Sequence, residues 1–476
     1  MGTKDVIDFI TLGCSKNLVD AERVMRQLEA AGWTCVHDPE EPKGEVCVIN
    51  TCGFIGDAKE ESVNMILQMA ERKKKGKLRK LIVMGCLSER YRAELEAELP
   101  EVDAYYGKFD FMGMVDFLSA LSSSKNVLPR TRAFAFPIRK RTFLPEDTRL
   151  GGCGERVQSY ERHLTTPKHY AYLKISEGCN RMCSYCAIPL ITGRHTSRPK
   201  AEILEEVRWL VGQGVKELNV IAQDLSSYGL DLRKSTKDKV QSTKEHLLPE
   251  LIDEMAQIEG VEWIRLHYAY PTDFPEELLD VMAKHENVCK YLDIALQHCT
   301  DHMLGLMRRH ISRAEQDALL RKIREKVPGI CIRTTLLVGH PGETEEDFEA
   351  LKAWVKEMRF ERMGCFAYSD EEGTYANKHY TDDVPQEVKE ARAAELMAIQ
   401  QEISGELMQR FVGKTERVII DRQEGDYWIG RTQYDSPEVD CEVLIKVVGR
   451  LSLVVGQFYD VKITKAEEFD LYGDIC

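Results

Sequence analysis

The chain has 476 residues, enough for about three domains of ordinary size with large buried cores. Its 65 lysines and arginines face 79 aspartates and glutamates, a formal charge of −14, which excludes overall attraction to a phosphate backbone and suits a basic protein partner. No apolar run nears the roughly 20 residues that span a bilayer, and the start, Met1-Gly2-Thr3-Lys4-Asp5-Val6, has neither signal-peptide nor myristoylation shape, so a cytoplasmic protein without membrane contact is expected.

Residues 6–121 alternate strand and helix. Apolar strands are predicted at Val6 to Thr11, Val46 to Asn50 and Leu81 to Met84, each followed by a helical period, at Asp20 to Ala31, Asp57 to Lys74 and Ser88 to Leu99. That order is a doubly wound α/β domain with a parallel sheet, assigned to residues 4–122. Each strand delivers one cysteine just past its carboxyl end: Cys14, Cys52 and Cys86. Ligands of open α/β sheets bind at those ends, so the three thiols can share one site, with Gly13, Gly53 and Gly85 allowing close backbone approach. Separate burial is the competing reading, since cysteine is often a core residue, but a core cysteine belongs within a strand, as Cys47 does.

Residues 123–164 read as a linker: serines at 122–124, Pro129, the basic run Arg139-Lys140-Arg141 as a solvated face, and Cys153 among glycines as an exposed, oxidisable thiol. The alternation returns over 165–408. Strands are predicted at Tyr170 to Ile175, Lys216 to Ile221, Trp263 to His267, Leu292 to Leu296, Ile330 to Leu336 and Gly364 to Ala367, each with a helix after it. Six such units fall short of the eight of a closed barrel, so an open partial barrel is expected, with a polar insertion at Ser235 to Thr243. Gly339-His340-Pro341-Gly342-Glu343 reads as a turn that sets Glu343 near a helix N-terminus.

Just after the first of these strands comes Cys179-Asn180-Arg181-Met182-Cys183-Ser184-Tyr185-Cys186. Thiols this close in sequence converge on one point and suit an iron-sulfur cluster or a zinc ion. The next cysteine is Cys289, so a cluster here has three protein ligands and one open iron; a zinc site would need another ligand, for instance His195. Fifteen cysteines, an odd number, favour metal or redox use over a disulfide framework, and Cys35, Cys289, Cys299, Cys331, Cys365 and Cys441 read as packing residues. From 409 to 476 short alternating stretches predict a small all-β barrel, and residues 412–476 hold 13 acids against 8 bases.

The CxxxCxxC loop with Tyr185 before its last cysteine resembles the radical S-adenosylmethionine (SAM) enzymes. The resemblance implies a 4Fe-4S cluster on Cys179, Cys183 and Cys186 whose open iron chelates SAM, cleavage of SAM to methionine and a 5′-deoxyadenosyl radical, and Tyr185 against the adenine. The whole order, α/β domain, partial barrel and terminal barrel, resembles the methylthiotransferases of that superfamily. The likeness implies that Cys14, Cys52 and Cys86 hold an auxiliary 4Fe-4S cluster and that the tail is a TRAM-like domain for substrate recognition. Leu12-Gly13-Cys14-Ser15-Lys16-Asn17, Asn50-Thr51-Cys52-Gly53-Phe54-Ile55, Gln223-Asp224-Leu225-Ser226-Ser227-Tyr228-Gly229 and the acidic Asp435 to Asp440 resemble the ribosomal-protein branch. That branch converts an aspartate β-carbon C–H of the twelfth small-subunit ribosomal protein to C–SCH3 with two SAM equivalents. It implies a low-potential electron donor such as flavodoxin or ferredoxin, no catalytic residue beyond the cluster ligands, no direct contact with nucleic acid, and a monomer. The acidic tail suits a basic ribosomal protein by charge. The alternatives are the branch acting on tRNA adenosine and, more distantly, a non-catalytic iron-sulfur carrier or binding module.

Overall fold

The computed structural model describes residues 3–123, 157–232, 246–446 and 453–476. The linker's Pro129, Arg139-Lys140-Arg141 and Cys153, and the insertion Ser235 to Thr243, lie outside them. Two compact units form, Met1–Thr165 with Ala187–Gly193, and Thr166–Cys186 with Arg194–Cys476. Among the described residues no helix is long and apolar enough to cross a membrane.

The first unit holds strands β1 (Thr3–Thr11), β2 (Thr34–His37), β3 (Gly44–Thr51), β4 (Lys80–Gly85) and β5 (Ala104–Gly107), with helices α1 (Ser15–Ala30), α2 (Gly56–Lys74), α3 (Cys86–Glu98) and α4 (Phe111–Ser123). The sheet is parallel, in the order β2-β1-β3-β4-β5. Alternation along β3 sorts its two faces. Val46 and Val48 pack with Val24 and Leu28 of α1 and Met114 and Leu118 of α4. Cys47 and Ile49 pack with Ile66 and Met69 of α2 and Leu95 of α3. The two four-residue edge strands, β2 and β5, escape a sequence reading because so short a run shows no period. The described end of the linker is strapped to α1: Arg162 pairs with the buried Glu22 at 3.1 Å, His163 with Glu29 at 2.6 Å, and Thr165 N donates to Glu22 at 2.8 Å.

The second unit begins with β6 (Tyr170–Lys174), β7 (Ser176–Glu177), the turn α5 (Ile188–Ile191), which clusters with the first unit, β8 (Thr196–Ser197), α6 (Lys200–Gly212), β9 (Glu217–Ile221), α7 (Leu248–Ala256), β10 (Trp263–Ala269) and α8 (Glu277–Lys284). It continues through β11 (Val288–Ile294), α9 (Asp301–Leu306), α10 (Arg313–Lys326), β12 (Cys331–Val338), α11 (Glu345–Met358), β13 (Arg362–Ala367), α12 (Tyr375–His379) and α13 (Gln386–Met408). The six-stranded parallel sheet runs β13-β12-β11-β10-β9-β6, an open partial barrel. Strand β11 starts four residues before its predicted position because half-buried Lys290 interrupts its apolar run. Glu343 lies in the turn before α11, taking a hydrogen bond from Gly339 N at 2.7 Å and pairing with Arg392 at 2.6 Å.

Strands β14 (Thr415–Glu424), β15 (Tyr427–Arg431), β16 (Glu442–Lys446), β17 (Phe458–Ala466) and β18 (Asp470–Ile475) close a small barrel around Val418, Ile420, Val443, Val461 and Leu471. Its outer residue Ile419 packs on Trp263, Cys289 and Cys331, at the starts of β10, β11 and β12. A buried ionic chain joins barrel and sheet: Glu217 meets Arg265 at 2.9 Å and Arg431 at 2.7 Å, and Asp421 meets Arg431 and His169, each at 2.7 Å. Burial opposes the charge of Glu217, yet Arg431 and Arg265 hold its carboxyl below the usual range.

The acidic stretch Asp435 to Asp440 corrects one expectation. Asp435 pairs with Arg362 at 2.5 Å, Asp440 accepts from Tyr291 at 2.7 Å and faces Arg333 at 3.4 Å, and Glu438 accepts from Tyr170 at 2.9 Å and Tyr172 at 3.4 Å. These acids pair with the sheet's own arginines and accept from its phenols, where a summed charge suggests a face held out to a basic partner. Glu438 and Val439 stay exposed at the tip of the stretch.

Candidate metal centres

The order β2-β1-β3-β4-β5 switches direction between β1 and β3, and ligands of such sheets bind in the crevice there. Cys14 follows β1, Cys52 follows β3, and Cys86 follows β4. Cys14 is the N-cap of α1 and Cys86 the first residue of α3, so both thiols sit at helix N-termini, where partial positive charge favours a thiolate. The glycines set the closeness. A Cβ on Gly13 would lie 2.8 Å from Cys52 Cβ, one on Gly53 2.8 Å from the Cys86 carbonyl carbon, and one on Gly85 2.4 Å from Asn50 Oδ1. Gly13 and Gly85 also have φ of +93° and +102°, which a side chain resists.

Asn17, one turn into α1 and 2% exposed, ties these strand ends together. Its Nδ2 donates to Leu12 O at 3.2 Å and Thr51 O at 3.1 Å, its Oδ1 stands 3.4 Å from Cys86 Sγ, and its own carbonyl accepts from Asn50 Nδ2 at 2.8 Å. Cys52 is fixed by Ser62, whose Oγ accepts from Cys52 N at 3.0 Å. The thiols differ in charge preference. Dense surrounding protein opposes ionisation of Cys14, which still reaches solvent, but Lys16, Lys108 and the N–H groups of Asn17 and Lys16 hold it below the usual thiol range. Burial raises Cys52.

The second site is built by one loop after β6. Strands β7 and β8 pair across its base, Gly178 (φ +80°) starts the turn, and Met182 (φ +55°) sits at the tip. Arg181 fastens the loop to the turn after β9: its Nε donates to Asp224 at 2.7 Å, Nη2 to Ser227 at 3.3 Å, and its guanidinium lies 4.4 Å from the Tyr270 ring centre. Ser184 is held on both sides, its N donating to Met307 O at 3.0 Å and its carbonyl accepting from Ala376 N at 2.7 Å. Ser184 Oγ donates to His340 Nε2 at 2.9 Å, while His340 Nδ1 donates to Pro341 O at 3.0 Å; burial lowers His340 to about 4, which keeps it neutral for that role. Arg309 donates to Cys183 Sγ at 3.3 Å and to Tyr185 Oη at 3.2 Å. Tyr270 Oη is 3.4 Å from the same sulfur. Burial pushes the Cys179 thiol up to about 12.

Among the described residues no three His, Cys, Asp or Glu side chains are drawn together as around a single metal ion. His195 Nε2 is engaged with Ser197 Oγ at 3.1 Å, and its Nδ1 is buried without a hydrogen-bond partner among the described residues. The donor set fits an iron-sulfur cluster: three cysteines from one loop, a sulfur already taking a hydrogen bond from a buried guanidinium, and no fourth thiol in the loop.

The Radical SAM superfamily is matched over residues 173–355, the Uncharacterized protein family UPF0004 over 6–107 and the TRAM domain over 412–476. The protein named ribosomal protein uS12 methylthiotransferase RimO in Phocaeicola vulgatus is 58% identical over 472 residues, covering 99% of each chain. The protein of the same name in Bacteroides thetaiotaomicron is 58% identical over 98% of each chain. The chain belongs to the RimO family of radical SAM methylthiotransferases. It is therefore an enzyme, and membership implies a 4Fe-4S cluster and SAM. A solved structure of the radical S-adenosylmethionine methyltransferase TsrM from Kitasatospora setae aligns with a TM-score of 0.51 at 16% identity, over 76% of this chain and 73% of its own, a likeness of fold.

For a methylthiotransferase of this family, the residues that a sequence reading passes over are the supports. Asn17 stands inside the stretch Cys14-Ser15-Lys16-Asn17, where an amide at the start of a helix could be read as a cap. Arg181 lies inside the CxxxCxxC loop itself. Tyr270, Arg309 and His340 come from after β10, α9 and β12, and only the fold brings them to the loop.

Proposed function

We propose that this chain replaces an aspartate β-carbon hydrogen of ribosomal protein uS12 with a methylthio group, using two 4Fe-4S clusters and two SAM equivalents. Cys179, Cys183 and Cys186 would hold one cluster, and Cys14, Cys52 and Cys86 an auxiliary one. The observation that carries the second cluster is the meeting of three strand ends at a switch point, glycine against cysteine, with Asn17 binding them. The substrate rests on near-full-length relatives at 58% identity whose name specifies uS12.

Cys179, Cys183 and Cys186 would hold a 4Fe-4S cluster, which when bound and reduced would supply the electron for SAM cleavage and the radical chemistry that an unactivated C–H bond requires. The chain's own groups bind and orient. Arg181, anchored on Asp224 and Ser227, fixes the loop; neutral His340 accepts from the Ser184 hydroxyl, while Met307 O and Ala376 N hold the Ser184 backbone between Cys183 and Cys186. Arg309 pins the Tyr185 hydroxyl, which leaves the ring face for the adenine of SAM. Since Asp435 and Asp440 pair inward, attraction for a basic substrate protein falls to Glu438 and the chain's total charge of −14.

The test is anaerobic turnover of purified enzyme with dithionite, SAM and uS12, read by mass spectrometry of the ribosomal protein. A methylthio mark on an aspartate is expected, with iron and sulfide sufficient for two clusters. A mark on tRNA adenosine with uS12 untouched would replace the substrate, and iron for one cluster in active enzyme would remove the auxiliary site.

A further inference from the structure

We propose that Arg309 is the counter-ion of the cluster on the Cys179, Cys183 and Cys186 loop, and that its fixed charge raises that cluster's reduction potential. The inference rests on the loop cluster of the preceding section. Arg309 follows α9 between two residues with left-handed backbone, Arg308 (φ +56°) and His310 (φ +54°), and is 2% exposed. Its Nη1 donates to Cys183 Sγ at 3.3 Å and to Tyr185 Oη at 3.2 Å, its Nη2 donates to Ala295 O, and its face lies 4.0 Å from the Tyr270 ring centre. Nε is buried without a partner.

Among the described residues no carboxylate pairs with this guanidinium. Comparably buried arginines of the same unit all have one: Arg198 meets Glu206 at 2.6 Å, Arg265 meets Glu217 at 2.9 Å, Arg362 meets Asp435 at 2.5 Å and Arg431 meets Glu217 at 2.7 Å. A buried cation lacking an anion is strongly disfavoured, so the chain keeps Arg309 for a negative charge that arrives with a bound group. An iron-sulfur core on three thiolates supplies that charge, beginning at the sulfur Arg309 already touches. Reduction adds one electron from a low-potential donor, breaks no bond and moves no proton, and deepens the negative charge. A fixed cation hydrogen-bonded to a ligating sulfur stabilises the reduced state over the oxidised one.

The test uses the full chain with Cys14, Cys52 and Cys86 replaced by alanine, so that one cluster contributes, and follows its paramagnetic resonance signal through a dithionite potentiometric titration. With Arg309→Met the reduced-to-oxidised ratio at a fixed potential should fall tenfold or more, about 59 mV downward for a one-electron couple. Arg309→Lys, which keeps the charge on a different stem, should fall between Met and wild type. An unchanged midpoint in Arg309→Met overturns the proposal. If Arg309→Met binds no iron, restoration by Arg309→Lys supports the counter-charge, and failure of both overturns it in favour of a packing role. If the triple-alanine chain carrying Arg309 itself binds no iron and sulfide, the loop cluster of the preceding section fails first.

Discussion

The two cysteine sites are built in opposite ways. One takes its three thiols from an eight-residue loop, Cys179 to Cys186, whose sequence spacing already confines them. The other takes Cys14, Cys52 and Cys86 from the ends of three strands, so those thiols can share a site only once β1, β3 and β4 are in register. The loop site spends its surrounding residues on charge and orientation, with Arg181, Arg309 and His340 around it. The strand-end site spends its residues on closeness, with glycines that admit no Cβ and an asparagine that ties carbonyls. A contiguous site thus depends on what the fold brings to it, and a dispersed site depends on the fold itself.

The sharpest break in this comparison is chemical. Cys183→Ala should reduce 5′-deoxyadenosine formation to background, measured by chromatography under dithionite. Cys52→Ala should retain part of that SAM cleavage while methylthio product disappears; equal loss of both, with fold and loop cluster intact, would refute the division of labour.

Stability separates the sites next. Glu217→Gln leaves Arg265 and Arg431 without their shared carboxylate and should cost about 3–5 kcal/mol by denaturant unfolding, because a broken buried pair strands a charge. Asn17→Ala leaves the Leu12 and Thr51 carbonyls without their side-chain donor and should cost about 1–3 kcal/mol. The more telling readout for Asn17→Ala is iron per chain: the portion bound by the strand ends should fall and the loop's portion should stay.

The smallest effect is expected at the strap on α1. The hydrogen bond to Glu29 raises the pKa of His163 above the ordinary 6.5, burial opposing it. A raised folded value means that its contribution is fully present below about pH 6.5 and is lost as pH rises through the folded pKa. With both side chains nearly a third exposed, the contribution should be no more than about 1 kcal/mol. Thermal unfolding compared at pH 6 and pH 8 should show this dependence in the wild type and a smaller one in His163→Gln.

The strand-helix alternation, the six-unit partial barrel and the small terminal barrel were legible in the chain because long periodic segments reveal which face is buried. Both groups of three cysteines stood out in the chain as candidate ligands, one by spacing and one by its place after strands. The edge strands β2 and β5 were not, being four residues each. Nor was the direction of Asp435 to Asp440, since a run of acids has the same net charge whether it meets solvent or arginines on a neighbouring sheet.

By itself, then, the sequence determined the layers, their order and the kind of atoms that can bind metal, because these follow from local period and residue chemistry. Tertiary structure alone decided which cation reaches Cys183, which amide joins three strand ends, and which carboxylates are consumed internally. Those outcomes turn on contacts between residues far apart in the chain, as Arg309 and Cys183 are, and no local pattern encodes them.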